Sequence, residues 1–177
     1  MLQLVIGKKG SRMKKITTFL TFKDQAEEAV KLYTSIFKNS RIVSTSRYGD
    51  AGPGPKGQVM SANFELDGQE FIALNGGPSF TFSEGMSLYV DCEDQAEVDT
   101  YWKKLSEGGS EGRCGWLTDR FGVSWQVIPR VLPQLLSDPD PAKAGRAMNA
   151  MLQMSKIDVA QLEQAAEGGT VEAPSRR

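Results

Sequence analysis

Histidine is absent from the sequence. Histidine is the commonest metal ligand and the usual general base near neutral pH. Its absence excludes a Ser-His-Asp or Cys-His catalytic arrangement, and it excludes any imidazole metal site built within one chain. Chemistry in this protein must therefore use carboxylates, amides, hydroxyls, thiols or amines.

The sequence also has few cysteines, no surplus of positive charge and no long apolar runs. Cys92 and Cys114 are too few for a disulfide scaffold, so we expect both to be reduced in a cytoplasmic protein. Because 21 Lys and Arg residues face 22 Asp and Glu, the net charge is −1 and nucleic acid is not an expected partner. No apolar run reaches the length of a membrane span, so no membrane partner is expected either.

The ends of the chain are expected to lie outside the folded domain. The opening MLQLVIGKKGSR does not have the order of a secretory signal. Met13 is a candidate natural start, which would make residues 1–12 an N-terminal extension. The tail over residues 168–177 is expected to be disordered, as chain ends commonly are.

The tetrapeptide DQAE occurs twice, at Asp24–Glu27 and at Asp94–Glu97, 70 positions apart. Each copy follows an apolar run, ITTFLTF or MSLYVDC, and each opens a stretch of helical periodicity. Asp24 and Asp94 are predicted N-caps, each with a glutamate three residues on, as in a capping box. The predicted buried helix faces are Ala26, Ala29, Val30, Tyr33 and Phe37, and Ala96, Val98, Tyr101, Trp102 and Leu105.

Strand-like segments follow each predicted helix. In the first half they are RIVSTSRYG, QVMSANFELDG and QEFIALNGG, with Asp67-Gly68 as a strong hairpin signal. In the second half they are GRCGWLTDRFG and VSWQVIP. We interpret the pattern as β-α-β-β-β written twice within one α+β domain at residues 13–129, with modules at residues 13–79 and 80–129. The alternative is a chance recurrence of DQAE in an amphipathic helix.

Three segments carry a resemblance to a known family: FLTFKDQAEEAVKLYTSIF, SLYVDCEDQAEVDTYWKKLSEGG and, most specifically, CGWLTDRFGVSWQVIP. In them the chain resembles the vicinal oxygen chelate superfamily of glyoxalase I and the bleomycin-resistance proteins, and within it the PhnB-like branch. The resemblance implies paired βαβββ modules forming a curved eight-stranded sheet around a cleft, commonly in a homodimer. Members of this branch often carry a demethylubiquinone methyltransferase label.

Strand side chains alternate between two faces, which sorts the residues of this predicted cleft. One face of each strand is largely apolar, as expected beneath a helix. The other mixes hydroxyls, aromatic rings and amides, which is typical of a ligand cleft, although a solvated surface would also fit. The predicted ligand-binding residues are Thr17, Phe19, Ser87, Tyr89, Asp91, Trp116 and Gln126.

The resemblance also locates the positions that hold metal ligands in metal-dependent members. Counted from the repeats, these positions are Thr17, Ser87, either Ile72 or Leu74, and Gln126. None is a histidine or a carboxylate, and one amide does not hold a divalent ion that needs several ligands. We therefore expect no metal and no cofactor. Gln126 then hydrogen-bonds either to a ligand or to its own neighbours.

Asp91 and Tyr89 are the candidate catalytic residues. An Asp91 partly buried beside Tyr89 would have a raised pKa and could act as a base, whereas a carboxylate beside a helix start is commonly structural. Cys114 is either a reactive thiol beside Arg113 or an inert loop cysteine. Cys92 is predicted to lie in the core.

Two further features are candidate cofactor or ligand contacts. Trp116 and the FTF segment containing Phe80 and Phe82 could stack on a flat ligand, whereas Trp125 belongs to the core by strand alternation. The glycine-rich GDAGPGPKG leads into a strand instead of a helix, so it is predicted to be a mobile inter-strand loop and not a dinucleotide or S-adenosylmethionine loop. No residue pattern supports methyl transfer.

A helical segment is expected over residues 130–167. Pro141 suits a first helical turn, and Asp158 with Gln161 is a second capping signal. The segment either covers its own sheet or meets a second subunit, through a predicted stripe of Ala144, Ala147, Met148, Met151 and Leu152.

The sequence as a whole favours a metal-free protein that binds a small organic molecule and forms a homodimer. One alternative is an enzyme that uses Asp91 or Tyr89, and the other is an interaction protein that uses the C-terminal helices.

Overall fold

The computed structural model describes residues 14–169. The predictions for residues 1–12, for Met13 and for the tail from residue 170 onward lie outside the described residues. The strands are β1 (Thr18–Phe22), β2 (Arg41–Arg47), β3 (Val59–Leu66), β4 (Gln69–Asn75), β5 (Ser87–Cys92), β6 (Ser110–Glu111), β7 (Trp116–Thr118) and β8 (Ser124–Pro129). The helices are α1 (Ala26–Ile36), α2 (Gln95–Ser106), α3 (Val131–Leu136), α4 (Pro141–Met151) and α5 (Val159–Ala166).

The eight strands form two four-stranded mixed sheets with the same internal order. The first sheet is β1-β4-β3-β2 and the second is β5-β8-β7-β6. In each, the module's first and last strands pair in parallel and the remaining pairs are antiparallel. The predicted α+β fold with two βαβββ modules is confirmed. The chain divides into two compact units, one ending at Thr81 and the other beginning at Phe82.

The two copies of the repeat start their helices differently. Asp94 is the N-cap of α2 and accepts a hydrogen bond from Glu97 N, as predicted. The prediction for Asp24 is wrong: the N-cap of α1 is Gln25, which makes no side-chain capping bond. Instead Asn75 Oδ1, at the end of β4, accepts a 2.8 Å hydrogen bond from Ala26 N. A distant residue thus satisfies a helix-start N–H that local capping would otherwise serve.

The predicted helix faces are largely buried, with two corrections. In α1 the last buried position is Ile36 instead of Phe37, and in α2 Ala96 is exposed. Ile16 and Met86, which open the apolar runs ITTFLTF and MSLYVDC, precede their strands and are 89% and 64% exposed, so they do not belong to the covered strand faces. Trp125 and Cys92 lie in the core as predicted.

The turn at Asp67-Gly68 joins β3 to β4 with φ of 45° and 78°, the two positive values that a type I′ hairpin requires. In the second module Ser110, the last residue of the segment EGGS that follows α2, belongs to the short strand β6. Gly109 precedes it, and a Cβ there would lie 2.1 Å from Thr118 O. Only glycine allows that close approach between β6 and β7.

The C-terminal helices belong to the second unit and pack against its strand β8. Ile157 and Leu162 form a buried cluster with Ile128 of β8 and Leu132 of α3. Asp158 caps α5 and Pro141 occupies the first turn of α4, as predicted, while the cap of α4, Asp140, was not predicted. The predicted α4 stripe is only partly buried: Ala147 lies inside, while Met148 and Leu152 are exposed. Within the described residues no helix is long and apolar enough to cross a membrane.

Candidate ligand-binding site

One face of the second sheet brings together most of the predicted site residues. We call it the open face. Strand register places Ser87, Tyr89 and Asp91 of β5 beside Ser124, Gln126 and Ile128 of β8, and Trp116 and Thr118 of β7 beside Gln126 and Ser124. The opposite face, with Leu88, Val90, Leu117, Trp125 and Val127, packs beneath α2 and is largely buried. The open face therefore carries the polar and aromatic groups of this module.

Gln126 and Ser87 are directly bonded across this face. Gln126 Nε2 donates a hydrogen bond to Ser87 Oγ at 2.8 Å. Both side chains are half-buried. These are two of the positions at which the family resemblance expects metal ligands, so a neutral amide and a hydroxyl hold each other where a metal-dependent relative would need ligands. Among residues 14–169 there is no group of three His, Cys, Asp or Glu placed to hold a metal ion.

Asp91 does not have the burial that the acid-base hypothesis required. Its carboxylate is 50% exposed and accepts a 2.7 Å hydrogen bond from Arg130 Nε. The same guanidinium donates to Glu93 Oε1 at 2.9 Å. These hydrogen bonds, first with Asp91 and then with Glu93, raise the pKa of Arg130 above its ordinary value. Arg130 directly follows β8 and was not predicted as a site residue, since its partners are distant in sequence.

Tyr89 presents a neutral phenol to the open face. Its side chain is 55% exposed, yet burial of the remainder raises the pKa of Tyr89 above its ordinary value, and the charge of Asp91 adds to that shift. A phenol with a raised pKa stays protonated near neutral pH. It can therefore donate a hydrogen bond but is poorly suited to act as a base.

Trp116 lines a surface cavity of about 480 Å³ in the second unit. Its other lining residues are Glu84, Ser110, Glu111, Gly112, Arg113, Leu117, Thr118 and Ser124. Glu111 is fixed by a 2.9 Å hydrogen bond from Trp102 Nε1 of α2. The cavity therefore combines one large aromatic ring and one leucine with three hydroxyls, two carboxylates and the guanidinium of Arg113.

A buried carboxylate, Asp119, organises the turn between β7 and β8. Asp119 Oδ1 accepts from Phe121 N and Val123 N, and Oδ2 accepts from Trp125 Nε1 at 2.9 Å. Since these bonds hold the turn, they maintain the register that puts Trp116 opposite Gln126. Sequence reasoning missed Asp119, although an aspartate three residues before a glycine in a short inter-strand loop is a recognisable turn signal.

The C-terminal segment closes one end of the open face. Ile128, two residues after Gln126 on the same face, is buried by Ile157 and its neighbours. Gly115, with φ 82°, allows this contact, because a Cβ there would lie 2.6 Å from Ile128 Cδ1. Cys114 N and Gly115 N donate to Met154 O and Ser155 O, each at 2.8 Å. Strand alternation puts Ile128 on the same face as Gln126, but it does not predict that the C-terminal segment covers it.

The first module places its predicted residues on its own sheet. Phe19 of β1 pairs with Ile72 of β4, as Tyr89 pairs with Gln126, so Ile72 and not Leu74 is the counterpart of Gln126. Phe19 is exposed, as is its counterpart Tyr89. Thr17 lies one residue before β1 and donates from Oγ1 to Lys14 O. The first module therefore has an apolar residue, Ile72, at the position that Gln126 occupies in the second module.

The two cysteines differ in burial, and so do the two phenylalanines of the FTF segment. Cys92 is fully buried, and burial, with Glu97 and Asp91 adding to it, raises the pKa of its thiol to about 12. Cys114 is half-buried in the loop before β7. Phe80 is exposed near Gly76, whereas Phe82 lies near Gly122.

The glycine-rich segment is an inter-strand loop between β2 and β3, as predicted. It packs around the ring of Tyr48: a Cβ at Gly52 or Gly54 would lie 2.7 or 2.4 Å from ring atoms. Tyr48 also donates from its hydroxyl to Asn75 O at 2.9 Å. These glycines therefore make room for an aromatic side chain, and no helix N-terminus follows them to bind a cofactor phosphate.

Two consecutive βαβββ modules of identical strand order define a paired-module protein of the glyoxalase and bleomycin-resistance type. The family model described as 3-demethylubiquinone-9 3-methyltransferase matches residues 14–128. The chain therefore belongs to the PhnB-like 3-demethylubiquinone-9 3-methyltransferase family of the vicinal oxygen chelate superfamily. The resemblance seen in the sequence is confirmed.

Solved structures agree with this assignment. A PhnB protein from Bacillus cereus, a candidate 3-demethylubiquinone-9 3-methyltransferase, is 46% identical with TM-score 0.62, and the match covers 66% of this chain and 99% of that chain. Protein PA1353 from Pseudomonas aeruginosa is 24% identical with TM-score 0.55, covering 66% and 98%. The fosfomycin resistance protein FosX from Listeria monocytogenes is 18% identical with TM-score 0.51, covering 71% and 98%. The last two show the fold alone. No curated protein gave a significant match.

Proposed function

We propose that the protein binds a small organic molecule on the open face of the second sheet without the help of a metal ion. The observation that carries this proposal is the hydrogen bond between Gln126 and Ser87. One amide and one hydroxyl do not make the ligand set that a divalent ion demands. They are instead suited to orient an organic ligand by hydrogen bonds.

The surroundings of this pair support binding. Tyr89 and Trp116 supply aromatic surface on either side of Gln126, and the cavity beside Trp116 continues the face toward Ser124. Ile128 and the C-terminal segment close the opposite end. Aromatic walls with a few convergent polar groups are typical of small-molecule sites.

A ligand screen tests the proposal on protein without a polyhistidine tag, since a tag would add the histidines that the chain lacks. We expect organic compounds to raise the melting temperature, and to do so equally before and after treatment with a chelator. Gln126→Leu should abolish the shift, whereas the same substitution at an exposed glutamine of α3, Gln134→Leu, should leave it unchanged. A shift that requires a divalent ion, or one that survives Gln126→Leu, contradicts the proposal.

Acid-base catalysis is less well supported by the same residues. Asp91 is exposed and bonded to Arg130, and the raised pKa of Tyr89 keeps the phenol protonated. The methyl transfer in the family's name is not carried over, because the one glycine-rich loop considered for a cofactor encloses Tyr48.

The homodimer and the cytoplasmic location are also proposals. Two apolar side chains at equivalent positions of the modules, Ile16 and Met86, are 89% and 64% exposed in the isolated chain, which supports self-association. Light scattering coupled to gel filtration should give twice the monomer mass, and a monomer at micromolar concentration contradicts the proposed homodimer.

The cytoplasmic location is supported by the two free cysteines, which suit a reducing compartment. Localisation of the full-length protein would test it.

The interaction-protein alternative uses the C-terminal helices. In this segment Met148 of α4 and Leu152, the residue that caps α4, are exposed large apolar side chains. Replacing Met148 and Leu152 with glutamine leaves the buried Ala147 unchanged, so the variant should still fold. The partners that it captures can then be compared with those captured by the unaltered protein. An unchanged set of captured partners contradicts this alternative.

A further inference from the structure

The open face holds a row of three side chains with glutamine at its centre. Gln126 lies opposite Tyr89 on β5 and opposite Trp116 on β7. Because neighbouring strands are about 4.8 Å apart, the strands carrying the two aromatic residues are about 10 Å apart. Gln126 is thus flanked on both sides by partly exposed aromatic rings, and its hydrogen-bond partner Ser87 stands next to Tyr89 on the same face.

The Gln126–Ser87 pair still has both donors and acceptors free for a ligand. A glutamine side chain has a carbonyl oxygen and two N–H donors, while a serine hydroxyl has one donor and two lone pairs. Within residues 14–169, the bond between Gln126 and Ser87 is the only side-chain hydrogen bond that either residue makes. It uses one amide N–H of Gln126. Gln126 Oε1 can then accept, while the Ser87 hydroxyl and the second amide N–H of Gln126 can donate. With the amide turned over, so that the Ser87 hydroxyl donates to Gln126 Oε1, the pair would still present donors and acceptors, namely both amide N–H groups and the remaining oxygen lone pairs.

The groups of this row carry no charge. Amide, hydroxyl and indole are neutral, and the pKa of Tyr89 is raised, so its phenol is neutral as well. The nearest charge on β5, Asp91, is already bonded to Arg130. An ionic ligand would therefore lose its hydration without gaining an opposite charge from the row.

We propose that the ligand is a planar, uncharged ring compound with a carbonyl and an N–H side by side on one edge, as in a lactam or cyclic imide. Its edge pairs with Gln126 and Ser87, and its ring packs on Tyr89 and Trp116. This inference rests on the proposed function and specifies the chemistry of that same site. Compounds that lack either the N–H or the carbonyl leave one group of the pair without a partner, which costs affinity.

Phthalimide, N-methylphthalimide and phthalate form a matched set of probes for isothermal titration calorimetry. The first presents an imide edge, the second lacks the N–H donor, and the third is anionic. We expect phthalimide to bind at least about tenfold more tightly than N-methylphthalimide, since one hydrogen bond of about 1.4 kcal/mol corresponds to that factor. Phthalate should bind more weakly than either.

The same titrations on variants identify the groups responsible. Gln126→Leu and Ser87→Ala should remove the preference for phthalimide, while Gln134→Leu should keep it, and thermal unfolding of each variant checks that it is folded. Equal binding of phthalimide and its N-methyl derivative, or tighter binding of phthalate, overturns the inference. If none of the three binds while screened compounds do, the inference fails and the proposed function stands. If no compound binds at all, both fail.

Discussion

Gln126 Nε2 donates to Ser87 Oγ across 2.8 Å, which joins β8 to β5 through two neutral side chains. The two residues are 39 positions apart in the chain. In this paired-module fold they occupy positions at which metal-dependent relatives are expected to carry ligands. The bond therefore gives a physical reason why this chain keeps an amide there.

Ser87→Ala should lower the free energy of unfolding by about 1 kcal/mol, because it removes the partner of a half-buried amide N–H. Gln126→Leu should lower the free energy of unfolding less in the Ser87→Ala background than it does alone, because the hydrogen bond is already lost there. Urea unfolding of both single variants and the double variant gives the coupling free energy. Strict additivity of the two changes would show that the bond contributes nothing to stability.

Asp119→Asn should destabilise the protein by at least about 2 kcal/mol, because the buried carboxylate accepts two backbone N–H groups and the Trp125 indole N–H. Urea unfolding measures the change. Asp50→Asn is the matched control, since the Asp50 side chain is 84% exposed, and its effect should stay within about 0.5 kcal/mol. Similar effects of the two substitutions would contradict the role assigned to Asp119.

Cys92 should resist alkylation by iodoacetamide in the native protein at neutral pH, while the half-buried Cys114 reacts first. Burial raises the pKa of the Cys92 thiol from 9.0 to about 12, so the folded state holds the proton more tightly than the unfolded state. This contribution to stability is fully present below pH 9 and is lost as the pH rises toward 12.

Mass spectrometry after alkylation locates the modified thiol. Urea unfolding at neutral and alkaline pH follows the stability change, and Cys92→Ala should lack the alkaline loss that this thiol causes. Rapid labelling of Cys92 without denaturant would contradict its burial in the folded state.

Ile157→Ala should cost about 2–4 kcal/mol, because Ile157 is fully buried against Ile128 and Leu162. Thermal or urea unfolding measures it. Leu152→Ala removes a similar volume from an exposed site in the same segment and should cost less than about 1 kcal/mol. A mild effect of Ile157→Ala would mean that the C-terminal segment does not hold this end of the open face.

Asp91→Asn should leave ligand binding and stability nearly unchanged. Its ion pair with Arg130 is half exposed, and such pairs contribute less than about 1 kcal/mol. The enzyme alternative expects the same variant to bind ligand and to abolish turnover of any substrate that is found. Calorimetry for binding and product formation for turnover separate the two expectations, and unchanged turnover excludes Asp91 as the catalytic base.

Local patterns predicted much of the fold. The duplicated DQAE with its flanking apolar runs indicated two βαβββ modules, Asp94 and Asp158 were predicted as caps, and Asp67-Gly68 was predicted as a hairpin turn. Apart from the 70-residue spacing of the repeat, each of these features depends on residues within a few positions of one another. Helix periodicity, side-chain capping and positive φ are properties of short segments, so the sequence by itself determined them.

Contacts between distant segments required the tertiary structure. The capping of α1 by Asn75 in place of Asp24, the pairing of Asp91 with Arg130 and the burial of Ile128 each join residues that are well separated in the chain. Alternation assigned Ser87 and Gln126 to a face, but only strand register brought their side chains within 2.8 Å. Register and docking depend on how whole elements pack, which no local pattern encodes.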